Sequence, residues 1–178
     1  MTFSINDFKS QLVGGGARGA LFRVYITNPI TGVADFKVPF MINAASLPSS
    51  SIGGYSVPYF GREIKYAGDR TFDNWTVRVI NDEDFKVRHA METWSNAINS
   101  HVSNARALPS QYKAEAQIIQ YGKDGTTLRE YTFQGLYPSA ISEIATRWDA
   151  RDQIEDFSVT FQYDLWVVSG GTTGNSTT

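Results

Sequence analysis

Gly14-Gly15-Gly16-Ala17-Arg18-Gly19 has the form G-x-G-x-x-G, the spacing at which a glycine turn lets backbone amides reach a pyrophosphate. That chemistry needs a strand before the glycines and a helix after them. Here a short polar segment precedes and a strand pattern follows, so the run reads as a flexible hinge. Asn81-Asp82-Glu83-Asp84 collects the oxygen ligands that calcium prefers, but a loop counted from Asp82 places Val87 where the sharp turn needs glycine. The same residues suit a helix start, with Asn81 or Asp82 as N-cap and Glu83 and Asp84 near the positive end of the dipole. His89 and His101 lack the H-E-x-x-H spacing, and no G-x-S-x-G occurs. Asp149, Asp152, Glu155 and Asp156 are the material of a glycosidase pair. Arg147 and Arg151 are interleaved with them, which describes a solvated, mutually screened loop. Asn74-Trp75-Thr76 is a glycosylation sequon, but it falls on a strand pattern with no secretion signal ahead of it. No catalytic, cofactor-binding or metal-binding set emerges, and the chain reads as a non-enzyme without cofactor.

The elements that would carry such groups are mostly strands. Phe22, Val24 and Ile26 alternate with Arg23, Tyr25 and Thr27, and Trp75, Val77 and Val79 alternate with Thr76, Arg78 and Ile80. Residues 36–45 read as extended. The segment 48–68 carries glycines at 53, 54, 61 and 68 and Pro58, and reads as a long excursion ending in a short strand over 62–66. Val87, Met91, Trp94 and Ile98 then switch to helical spacing, predicting one helix over about residues 83–100. Residues 115–121 and 128–134 form a hairpin about Lys123-Asp124-Gly125, and Tyr137-Pro138 ends it. The last strand, 157–167, turns Phe157, Val159, Phe161, Tyr163, Leu165 and Val167 to one side. Ser158, Thr160, Gln162 and Asp164 face the other, and Trp166 breaks the alternation. The expected fold class is mainly β: an antiparallel β-sandwich or barrel with one flanking α-helix. The expected organisation is an N-terminal arm (1–20), one β domain (21–168) and a flexible Gly/Ser/Thr tail (169–178).

Composition narrows the function. The 178 residues carry 16 Lys and Arg against 18 Asp and Glu, a net charge of −2, whereas a general nucleic-acid binder is basic. With no cysteine, disulfides, thiolate metal sites and cysteine nucleophiles are excluded. Nine Tyr, eleven Phe and four Trp are a rich supply of rings for a sheet core or an interface. Met1 to Gln11 has no apolar signal core, and no apolar run is long enough to span a membrane. Abundant strands, loose ends and no concentrated chemistry together describe an assembly subunit.

The stretch Arg62–Asp84, above all Ala67-Gly68-Asp69-Arg70-Thr71-Phe72-Asp73-Asn74-Trp75-Thr76-Val77, resembles the tail tube proteins of contractile-tailed bacteriophages. The strand near Phe22, Ala44 to Pro48, Gly135-Leu136-Tyr137-Pro138 and the final strand are similar in layout, so the resemblance spans about residues 20–167. It implies subunits that form hexameric rings whose inner strands join into one barrel. The rings stack into a hollow tube inside a contractile sheath, which is driven through the host envelope while double-stranded DNA passes along it without specific binding. It also implies sheath, baseplate, tape-measure and terminator partners, assembly in the host cytoplasm, residence in the virion, and no stable membrane insertion. Tyr59, Arg62, Asp69, Arg70 and Asp73 are then the expected inter-subunit contacts, with the alternative for Asp69, Arg70 and Asp73 that they brace the turn into the Trp75 strand. Ser158, Thr160, Gln162 and Asp164 are the expected lumen-facing residues. Alternatives are the tube of a contractile injection or secretion device, a small-ligand-binding barrel with 157–167 lining its cavity, and a hydrolase using the 149–156 carboxylates.

Overall fold

Val24 and Ile26 point inward and are buried, while Arg23 and Tyr25, alternating with them, are exposed, and this two-residue rule builds most of the molecule. The computed structural model describes residues 4–149, 151–172 and 174. The elements are α1 (Ile5–Gln11), β1 (Phe22–Ile26), α2 (Val38–Met41), β2 (Ile42–Ala45), β3 (Ser50–Tyr59), β4 (Arg62–Phe72), β5 (Trp75–Ile80), α3 (Lys86–Ile98), α4 (Pro109–Tyr112), β6 (Ala114–Tyr121), β7 (Thr127–Ile141), β8 (Asp156–Gln162) and β9 (Leu165–Gly171). The strand pairs are antiparallel. β1, β6, β7 and β9 form one layer, and β2, β5, β8 and the far end of β7 form the other.

β7 belongs to both layers. Its first part pairs with β6 and β9, and Tyr137–Ile141 pairs with β8. The crossing is made at Gly135, whose φ of +70° favours glycine and where a Cβ would collide with the Asp164 carboxylate. β8 and β9 cross at the same corner, where the Asp164 amide donates to the Gln134 carbonyl at 3.0 Å. Between the layers Trp75 stacks on Phe133 with ring centres 4.3 Å apart, and Phe161 lies between Trp75 and Trp94. The buried face of α3, Val87, Ala90, Met91 and Trp94, closes this core. Asn28 ties β1 to α3: its Nδ2 donates to the Ala90 carbonyl at 3.1 Å, and its Oδ1 accepts from the amides of Ile30 and Thr31.

Several expectations are corrected. The helix runs Lys86–Ile98 rather than 83–100, and neither Asn81 nor Asp82 caps it. Lys37 Nζ reaches one oxygen each of Asp82 and Asp84 at 2.6 Å, Asn81 donates to Glu155, and Phe85 in a left-handed conformation (φ 50°) delays the helix. Residues 36–45 are not simply extended, since Val38–Met41 form a helical turn with Pro39 in its first positions, where a missing N–H costs nothing. The 48–68 segment is no irregular excursion but most of a ten- and eleven-residue ribbon, β3 and β4. Pro138 does not end β7, because the register shifts between Pro138 and Ala140. The final strand is two strands. After the corner the phase inverts, so Leu165 is exposed while Trp166 packs on the core and Val168 is buried. Ser169–Gly171 complete β9, while residues 173 and 175–178 of the expected tail lie outside the described residues. In the 1–20 arm, Ile5–Gln11 is helical, and residues 1–3 lie outside the description.

Candidate assembly surfaces

The β3–β4 ribbon stands away from both layers, and from Ser51 to Thr71 none of its side chains is fully buried. Cross-strand pairing gives it two unlike faces. One carries Tyr55 opposite Tyr66, Val57 opposite Ile64, and Tyr59 opposite Arg62; the other carries Ser56 opposite Lys65 and Pro58 opposite Glu63. Tyr55 and Tyr66 stack at 5.6 Å. An isolated two-stranded ribbon is marginal in water, and this one leaves an aromatic face uncovered. That face escaped the sequence reading. Its signal, Tyr55-Val57-Tyr59 and Ile64-Tyr66 at period two, is interrupted by Gly53, Gly54 and Pro58, the residues that suggested a loop. The glycines have a positional reason: a Cβ on Gly68 would come within 3.3 Å of the Gly53 backbone.

The expected contact residues divide between the two ends of the ribbon. Tyr59 and Arg62 flank the tip turn. Asp69, Arg70 and Asp73 are near the root, where Asp73 accepts from Ser49 Oγ at 2.8 Å and Arg70 donates to Ser50 Oγ at 3.3 Å. The root is further held by Trp166 Nε1 on the Ser49 carbonyl at 3.2 Å and by Phe72 packed against Tyr163 and Trp166. Arg70 and Asp73 thus make bracing bonds within one subunit, while the Asp69 side chain has no hydrogen-bond partner among the described residues.

Ser158 and Thr160 lie on the outer face of β8, opposite Arg78 and Thr76 of β5. Thr76 and Thr160 share a hydroxyl hydrogen bond at 3.1 Å, Arg78 is paired with Asp156 at 2.9 Å, and Gln162 accepts from the Tyr137 hydroxyl at 2.6 Å. The result is a polar surface whose one cation is matched by a carboxylate. Asp164 is past the end of β8, held by Lys113 Nζ at 2.6 Å, so it does not share that face.

The other candidates disperse. Gly14, Gly15 and Gly16 all have positive φ and lead into no helix that could meet a phosphate. Asp149 pairs with Arg147, Glu155 with Asn81 and Asp156 with Arg78, so the loop carboxylates serve separate contacts. Phe157, Val159 and Phe161, which a ligand-binding barrel would turn toward a cavity, are packed in the core. Among the described residues, no group of three or more His, Asp or Glu is placed to hold a metal, and no helix is long and apolar enough to cross a membrane.

A family model described as phage tail tube protein matches residues 17–169, from within the glycine hinge into β9. Tail tube protein gp19 of Enterobacteria phage T4 is 34% identical over 155 residues, covering 86% of this chain and 92% of its own. The tail tube protein of Serratia phage KSP90 is 26% identical over 166 residues, covering 90% of this chain and 94% of its own. In fold, the chain is similar to the sheath/tube terminator of the extracellular contractile injection system PVC in its extended state, with a TM-score of 0.65 at 15% identity, over 87% of this chain and 97% of that one. The matched region takes in both layers, the ribbon and its root, and the chain belongs to the phage tail tube protein family.

Proposed function

We propose that copies of this chain close into hexameric rings, joined edge to edge through their inner strands, which stack into a hollow tube within a contractile sheath. The observation that carries the reading is the β3–β4 ribbon. Its aromatic face has no cover in its own subunit, and a second copy supplies one. In this reading Tyr59 and Arg62 meet a neighbour at the ribbon tip, and Asp69, Arg70 and Asp73 act at its root. Ser158, Thr160 and Gln162 face the lumen, with Asp164 at its margin. A lumen of hydroxyls and amides, with Arg78 neutralised by Asp156, gives DNA phosphates no net cation to hold, so DNA slides through. Sheath, baseplate, tape-measure and terminator proteins are the partners at the tube's outside and ends. The role is mechanical, with no catalytic step and no cofactor. The 34% identity to a phage tube protein favours a phage tail over another contractile injection device.

Electron microscopy of the purified chain tests this. Rings or tubes of one defined diameter are expected at high concentration. A chain that stays monomeric at every salt concentration, with no partner recruiting it, overturns the reading.

A further inference from the structure

We infer that the ribbon tip is a plug and that its socket is a cleft of a second copy, between the residues leading into α3 and those leading into β8. This rests on the reading that the ribbon covers a neighbour, and it names the receiving site. The tip turn is Phe60-Gly61, with φ of 44° and 79°. A two-residue turn with both φ positive favours Asn-Gly, and a bulky residue in its first position is disfavoured. Phe60 is nevertheless there, 91% exposed, its ring edge-on to Tyr59 at 4.7 Å. Backbone strain spent on a fully exposed ring gives the monomer nothing, which points to a contact the monomer does not contain. Arg62 pairs across from Tyr59, so two rings and one cation leave the tip together.

The cleft has about 610 Å³ of space and is lined by Met41, Ile80, Phe85 and Ile154, with Glu83 and Glu155 among its polar residues. That volume lies in the range that encloses ring-sized groups. No ribbon residue lines the cleft of its own copy. Asp82, also in the lining, is already matched by Lys37, and Glu155 accepts from Asn81. Glu83 has no side-chain partner among the described residues, which leaves it for an incoming cation. The cleft also holds the second strained phenylalanine: Phe85, at φ 50°, is half-exposed at its wall. Asn104 and Asp152, the other described non-glycine residues at positive φ, are of types that tolerate it; the two phenylalanines are not. An aromatic plug with a cation thus matches a cleft that sets four apolar side chains beside acidic ones, of which Glu83 has no side-chain partner among the described residues. Because plug and socket are different surfaces of one chain, their union is head-to-tail and propagates into rings or stacks.

The absence of native cysteine makes the test direct. Phe60→Cys and Ile154→Cys variants are purified separately, mixed, assembled and treated with a mild thiol oxidant. A cross-linked pair in the mixture, absent from either variant alone, is expected. Independently, Arg62→Glu should raise the concentration needed for assembly several-fold without moving the monomer's melting temperature, and adding Glu83→Arg should restore it. Assembly that requires the tip but shows neither cross-link nor charge rescue overturns the socket and leaves the covering ribbon standing. A Tyr59→Ala/Phe60→Gly variant that assembles like the parent overturns both. A cross-link within single molecules of the double-cysteine chain assigns the tip to its own copy and overturns the proposal.

Discussion

Lys37 is the clearest case of one side chain setting an element boundary. Its ammonium bridges Asp82 and Asp84 and so joins the α2 turn to the approach of α3. The hydrogen bond from Lys37, followed by one from the Lys86 amide, lowers the Asp84 carboxyl from 3.8 to about 2, and Asp82 is lowered mainly by the same ammonium. Lys37 is correspondingly raised, first by its bond to Asp82. A depressed carboxyl contributes stability that is complete above its ordinary pKa and is lost as the pH falls through the folded value. The clamp therefore holds at neutral pH and weakens from about pH 4 toward about pH 2. Lys37→Met should lower the melting temperature at pH 7, and the gap to the parent should close across that acid window. A gap that stays constant down to pH 2 would place the effect in lost packing of the lysine stem. Asn28 makes a different prediction because it is buried and its amide makes three hydrogen bonds. Asn28→Ala removes the second bond to the Ala90 carbonyl and leaves the Ile30 and Thr31 amides without their acceptor, freeing the loop after β1, at a cost of about 1–3 kcal/mol in denaturant unfolding of the monomer. A loss near zero would mean that water replaces the amide at that site.

At the scale of elements, what was legible followed from burial. β1, β5 and β6 each put one face against the core, so alternation fixed them, and α3 was visible through its apolar stripe. The ribbon has no core beneath it, so no burial requirement marks its phase, and its glycines and proline read as breakers. The corner shared by β7 and β8–β9 leaves a subtler trace. Gly135 permits the bend, and Trp166, which broke the predicted alternation, stands where the phase inverts. Among the expected contact residues, the sequence placed Tyr59 in a glycine-rich excursion, Arg62 at the start of a short strand and Asp73 in the turn into the Trp75 strand, but it did not show the aromatic face, because a residue's exposure depends on what the fold leaves uncovered. The root of the ribbon yields a prediction for the element as a whole. Asp69 has no side-chain partner among the described residues and Arg70 makes one long bond to Ser50, so replacing either by Ala should change monomer stability by no more than about 0.5 kcal/mol, as for ordinary surface positions. Tube formation, followed by sedimentation, should weaken clearly in the same variants. Equal losses in sedimentation and thermal melting would assign both residues to bracing the turn within one subunit.

For the whole molecule, the decisive quantity is what repetition does to a small charge. One copy carries a net charge of −2, and its outer β5–β8 face shows hydroxyls, an amide and one matched Arg78–Asp156 pair. If that face lines the bore, any change there is multiplied by every copy in every ring, along the full path of the DNA. A single lysine per subunit becomes a continuous cationic lining, and each phosphate it neutralises releases counterions and strengthens binding in a salt-dependent way. Thr160→Lys is the sharper variant, since Thr160 is partly exposed opposite Thr76, whereas a lysine at Ser158 would stand opposite Arg78. Thr160→Lys subunits should therefore fold and assemble like the parent while particles carrying them deliver their genome more slowly, with the delay shrinking as ionic strength rises. Delivery kinetics that match the parent at low salt, in tubes of normal diameter, would turn this face away from the bore and move the lumen to the outer face of the other layer.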